Sequence, residues 1–111
     1  MEIIEKRQNG TLLISVTGRM DAVTAPEFDQ KLGQRLDEGI TSMVFDLSKL
    51  DYISSAGLRS FLLIAKKLKA NSGRIALASM QDIVKDVFEV SGFNQVLPVF
   101  HSVEEALENN K

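Results

Sequence analysis

A chain of 111 residues with 44% hydrophobic content suits one compact domain, residues 1–111. A chain of this size buries roughly two-thirds of its unfolded surface, enough for a core without covalent staples. It contains no cysteine, which excludes disulfides, thiolate metal sites and cysteine nucleophiles together. Its acidic and basic residues are interspersed around a net charge of -2, so neither nucleic acid nor an anionic membrane is an expected partner.

The opening Met1-Glu-Ile-Ile-Glu5 lacks the basic and then apolar profile of a signal peptide, and no run approaches the ~20 apolar residues of a membrane span. A cytoplasmic protein that meets another protein or a small ligand is expected. Glu2 to Lys6 and Thr11 to Thr17 are β-rich runs separated by Arg7-Gln-Asn-Gly10, and Asn9-Gly10 is the dipeptide that a type I′ hairpin requires. Gly18-Arg-Met-Asp21 reads as leaving the second strand. Thr24 is then the expected N-cap of a first helix, with Glu27 closing a capping box and Val23 stapled against Phe28. Phe28, Leu32 and Leu36 continue the buried stripe, and Gly39 ends it.

From there strand and helix alternate, the pattern of right-handed crossovers onto a parallel sheet. Thr41 to Leu47 is the third strand. Ser55 to Ala70 is the second helix, with Leu58, Phe61, Leu62, Ala65 and Leu68 on its buried stripe and Arg59, Lys66, Lys67 and Lys69 on its wet face. Asn71-Ser-Gly73 is a turn into a fourth strand, Arg74 to Ala78. Ser79 is read as the cap of a third helix that buries Ile83, Val84, Val87 and Phe88 and exits at Ser91-Gly92. Gln95 to Phe100 is expected as a short edge strand, because Pro98 cannot donate to a ladder. Ser102 and Glu105 form a capping box for a last helix through Leu107, and Asn109-Asn-Lys111 is expected to fray. The predicted class is α/β, with a mixed, mostly parallel sheet of about five strands, about four helices and an N-terminal β-hairpin.

The chain pivots on Asp46 to Gly57, where a buried strand gives way to a helix. Ser54 and Ser55 fall at that helix N-terminus, where free backbone N–H groups and the positive dipole end favour a negative charge. Crossovers place the C-terminal ends of successive strands along one edge, so Asp21, Ser48, Asp51 and Ser55 should share a surface. With the neighbouring Ser54, Ala56, Gly57 and Arg59 they make up the expected partner-binding face. Each has a plainer explanation. Ser55 could be only a cap, Asp21 could cap a turn, Asp46 could bond loop N–H groups, Asp51 could be solvated and Gly57 could serve a close approach. His101 reads as a surface residue. A serine hydrolase would need Gly-x-Ser-x-Gly and a base beside the serine, and a nucleotide hydrolase a Gly-x-x-x-x-Gly-Lys loop; neither is present. The chain therefore looks like a substrate of enzymes rather than an enzyme.

Asp46-Leu-Ser-Lys-Leu-Asp-Tyr-Ile-Ser-Ser-Ala-Gly-Leu58 resembles the phosphorylation loop of the STAS family of bacterial anti-sigma factor antagonists. That loop runs Asp-Leu-Ser-x-Leu-x-x-(Ile or Met)-Asp-Ser-(Ser or Thr)-Gly-Leu, with the phosphorylated serine two residues before the glycine. Gly18-Arg-Met-Asp21 is similar to the family's Gly-x-Leu-Asp segment, and the predicted element order is also that of STAS domains. The resemblance implies that Ser55 is the phosphoacceptor, Ser54 being the alternative. Ser54 stands where the family often has aspartate, and Ala56 where it often has a second hydroxyl. The partner implied is an anti-sigma factor that is also an ATP-dependent serine kinase, reset by a PP2C-type phosphatase. ATP would belong to the kinase, and no cofactor is expected here. Two other readings are a scaffold or assembly subunit without a phosphate cycle, and a small-ligand or nucleotide sensor.

Overall fold

The computed structural model describes residues 1–110, apart from the side chain of Asn94. The elements run β1 (Glu2–Gln8), β2 (Thr11–Met20), α1 (Ala25–Asp37), β3 (Ser42–Asp46), β4 (Leu50–Ile53), α2 (Ser55–Ala70), β5 (Arg74–Ala78), α3 (Asp82–Ser91), β6 (Val99–Phe100) and α4 (Val103–Asn109). A single 3-10 turn, Phe93–Gln95, precedes β6. Asn9 and Gly10 both take positive φ, 52° and 81°, and β1 pairs antiparallel with β2 from Glu2↔Thr17 to Gln8↔Thr11. The hairpin is therefore the one that the Asn-Gly dipeptide dictates.

The sheet order is β1-β2-β3-β5-β6, parallel from β2 onward, with β4 pairing β2 alone. Helices α1, α2 and α3 cover one face. There Phe28, Phe45 and Phe61 pack mutually in tilted and edge-on contacts and Phe88 joins them through Phe61, with ring centroids 5.0–5.9 Å apart, among Leu12, Ile14, Met43 and Leu77. Helix α4 covers the other face, where Ala106 meets Val44, Ala76 and Ala78, small residues that admit a close helix. Arg35 of α1 grips Glu5 of β1 through two hydrogen bonds of 2.6 and 3.0 Å, which holds the Glu5 carboxyl below its ordinary pKa. No helix among the described residues is long and apolar enough to cross a membrane.

Several expectations are corrected. The sheet has six strands where about five are expected, the added one being β4, Leu50–Ile53, read as loop from the sequence. Gly18–Met20 does not leave β2; a bulge between Gly18 and Arg19 turns the strand from its β3 register into pairing with β4. Thr24 makes no side-chain cap bond, and Val23 is 86% exposed, so neither capping box nor staple forms at α1. The reason is local: the Asp21 carboxylate has taken the Val23 and Thr24 N–H groups and turned Val23 outward.

Ser79 does not cap α3. It sits at φ 61° and donates its hydroxyl to the His101 carbonyl, so the helix starts only after Gln81. That start rotates Ile83 into solvent, leaving Val84 and Phe88 as the buried face. On α2, Ile64 joins Leu58, Phe61 and Leu68 in the core while Leu62 and Ala65 are half-buried. The last strand is two residues, at the edge as expected, since Pro98 delays its ladder. Helix α4 runs past Leu107 to Asn109, and Asn110 does not fray: it is buried, its amide donating to Ser42 Oγ (2.9 Å) and the Met43 carbonyl (3.3 Å). Lys111 lies outside the described residues.

Candidate functional site at the start of helix α2

Strand β4 delivers the site. Its register on β2 sets Met20 against Ile53, and the next residue, Ser54, donates its N–H to the Met20 carbonyl at 2.9 Å. Ser54 is extended (φ -98°, ψ 177°) and its Oγ accepts from the Gly57 N–H at 3.4 Å, making it the N-cap. Ser55, the first helical residue, is exposed. The two serines thus divide the work: one hydroxyl closes the helix and the other faces solvent. The first turn holds no acidic side chain, so the positive end of the helix dipole is not countered there.

Gly57 explains the tight seat of this turn. A Cβ there would come 2.7 Å from Ile53 Cγ1 and 2.8 Å from the Met20 carbonyl oxygen, so the helix backbone rests directly on β2 and β4. Ala56 is half-buried beside it, and Arg59 is exposed one turn on.

On one side of Ser54, Asp21 follows the last residue of β2. Its Oδ1 accepts from the Val23 N–H (3.0 Å) and the Thr24 N–H (3.2 Å), while its own N–H donates to Thr24 Oγ1 (2.9 Å), whose hydroxyl donates to the Arg19 carbonyl (3.0 Å). The Thr24 N–H above all, then the Val23 N–H, the Thr24 hydroxyl and Arg19, holds the Asp21 carboxyl below its ordinary pKa. Arg19 lies 3.7 Å from Asp21 and 4.2 Å over the Tyr52 ring. On the other side, the Gln81 amide donates to the Ser48 carbonyl (3.0 Å) and Asp51 Oδ1 (3.3 Å), tying the loop to the start of α3. Asp46 accepts from the Ser48 N–H at 3.0 Å, the plain structural role.

Asp21, Ser48, Asp51 and Ser55 therefore share the edge where β2, β3, β4 and β5 end, and Asp21 is committed to its turn. His101 lies farther along the same edge, exposed beside Ser79 past the end of β6. The sequence reading missed Arg19, Thr24, Tyr52 and Gln81. A glutamine is a poor N-cap, and that was the one signal that Gln81 is held by something else. Among the described residues no cluster of three or more His, Asp or Glu could hold a metal ion.

The STAS domain pattern matches residues 2–106. This chain belongs to the STAS domain family. Its relatives include BtrV of Bordetella bronchiseptica, itself assigned only provisionally as an anti-sigma factor antagonist, which is 38% identical over 106 residues, 96% of this chain and 91% of BtrV. The anti-sigma-B factor antagonist of Listeria monocytogenes is 29% identical over 96% of this chain and 94% of its own. Among solved structures, the anti-sigma factor antagonist SpoIIAA of Bacillus matches in its unphosphorylated form with a TM-score of 0.84, at 22% identity over 97% of this chain and 95% of that one. Its phosphorylated form matches with a TM-score of 0.77, at 20% identity over 99% of this chain and 100% of that one. At these identities the SpoIIAA likeness establishes the STAS fold alone.

Proposed function

We propose that this STAS domain, acting as one unit over residues 1–111 in the cytoplasm, is an anti-sigma factor antagonist switched by phosphorylation of Ser55. Unmodified, it binds an anti-sigma factor that is also a serine kinase and so frees a sigma factor. Phosphorylated by that kinase, it lets go until a PP2C-type phosphatase restores it. The observation that carries this reading is the division between the two serines: Ser54 supplies the cap bond to Gly57, and Ser55 is an exposed hydroxyl the fold does not need. The names of the relatives support the antagonist role, and SpoIIAA is a STAS protein solved both with and without phosphate.

Magnitudes favour a switch in binding rather than in folding. A phosphate adds ≈ -1.5 to -2 charges, and the helix end returns only ~0.3 to 1 kcal/mol. Burying that dianion in an interface costs several kcal/mol, and each ~1.4 kcal/mol is tenfold in affinity. Asp21 and Asp51 at the same edge add repulsion.

Ser55→Asp should weaken capture of the kinase about 100-fold or more, while the melting temperature moves by less than ~4 °C. Site-resolved phosphopeptide mass spectrometry of the protein from its own cells should find phosphate on Ser55. Phosphate on Ser54 alone, or equal capture of partner by the modified and unmodified forms, would overturn the proposal.

A further inference from the structure

At the opposite edge of the sheet from Ser55, a groove of about 570 Å³ opens between the second half of α2, the start of β5, the chain entering β6 and the end of α4. Its wall is mostly apolar, as ligand sites of 300–1,000 Å³ generally are. Leu62, Ala65, Lys66 and Lys69 line it from one face of α2, at i, i+3, i+4 and i+7, and Arg74 closes it from β5. Among the described residues its lining thus carries three cations and no carboxylate, in a chain whose net charge is negative. The 370 Å³ cavity beside His101, by contrast, mixes Lys85 with Asp82 and Glu89. The dipole of α2 accounts for lysines near its C-terminus, but Arg74 is not on that helix.

The groove also holds a backbone donor. Arg74 N–H donates to the Thr41 carbonyl, and Leu77 and Ser79 N–H donate to the Pro98 and Phe100 carbonyls, so alternate residues of β5 face β3 and β6 in turn. Ile75 therefore turns its N–H toward the β6 side, where β6 has not yet begun. Val96, 63% exposed, stands across from it.

We infer that this groove binds a single-chain aliphatic carboxylate. Its hydrocarbon lies against the side chains of Leu62 and Val96, and its head lies among Lys66, Lys69, Arg74 and the Ile75 N–H. The Arg74 fork matches a planar carboxylate, and the two ammonium groups act as point charges around it. A membrane surface is a poorer fit, because recognition of anionic lipid surfaces uses a cluster of four to eight cations and this groove carries three.

The test is titration of the ¹⁵N-labelled full chain with monomeric sodium laurate. Saturable amide shifts should appear at Ile75, Val96 and the second half of α2 and leave Ser55 unmoved. Lys69→Glu, Arg74→Glu and Val96→Asp, all at exposed positions, should each weaken binding about tenfold or more while amides remote from the groove keep their positions. Scattered or non-saturating shifts would overturn the inference. So would equal affinity for dodecyltrimethylammonium, tenfold tighter binding of dodecyl phosphate, or binding to phosphatidylglycerol vesicles without binding to laurate. Because no arm involves Ser55 or the kinase, failure here is distinct from failure of the switch.

Discussion

The starts of α1 and α2 are built from the same kinds of residue and end differently. Both follow β2 or its partner β4 at the same edge of the sheet, and both offer a hydroxyl where the helix begins. At α1 the Asp21 carboxylate and the Thr24 hydroxyl are both used internally: Asp21 holds two N–H groups, and Thr24 bonds to Asp21 and Arg19. At α2 one serine suffices for the cap and a second remains exposed. A closed network resists change, whereas a surplus hydroxyl can be modified without unfolding its surroundings. The contrast teaches that the functional candidate is the group with nothing structural left to do.

The contrast can be attacked from its most buried element outward. Gly57→Val should have the largest effect, since its Cβ alone would overlap Ile53 and the Met20 carbonyl. A loss of about 3 kcal/mol or more is expected in urea unfolding, with α2 displaced from β2. Thr24→Ala removes the hydroxyl at the centre of the α1 network and should cost about 1–2 kcal/mol by the same measurement. Ser54→Ala removes the cap acceptor and should cost about 1 kcal/mol. Ser55→Ala should fall within about 0.5 kcal/mol of the parent; a loss equal to that of Ser54→Ala would erase the division between the serines.

The smallest effect is one of pH. Asp21 is held below its unfolded pKa, so its contribution is present above that value and is lost as pH falls through the folded value. Thr24→Ala keeps the backbone N–H that lowers this pKa most and removes only the smaller share of the hydroxyl, so the Asp21 carboxyl should titrate slightly closer to its ordinary range by NMR. An unchanged titration would mean that the turn holds without the threonine.

Some of this was legible in the sequence and some was not, for identifiable reasons. Asn9-Gly10 forces its hairpin because few dipeptides tolerate two positive φ angles, and the stripe through Leu58, Phe61 and Leu68 can face only a core. The register of Ser54 and Ser55 was also readable, up to which serine caps; that depends on Ser54 N–H finding the Met20 carbonyl, a contact between distant segments. Strand β4 was invisible because its four residues show a buried-exposed-exposed-buried pattern and pair only with a continuation of β2 past a bulge. Thr24 sits at the N-cap position as read but makes no cap bond, because its hydroxyl is committed backward, accepting from the Asp21 N–H and donating to the Arg19 carbonyl. Asn110 was misjudged because its partners, Ser42 and Met43, lie nearly seventy residues away.

Strand β2 serves two ladders in succession, and the segment it serves is pinned at intervals: Leu47 to Ala78, Lys49 to Gly18, Ser54 to Met20. Side chains between those anchors can be exchanged, but residues can be neither added nor removed without detaching an anchor. Evolution along this segment should therefore proceed by replacement and almost never by insertion or deletion, like text edited in a form with fixed boxes.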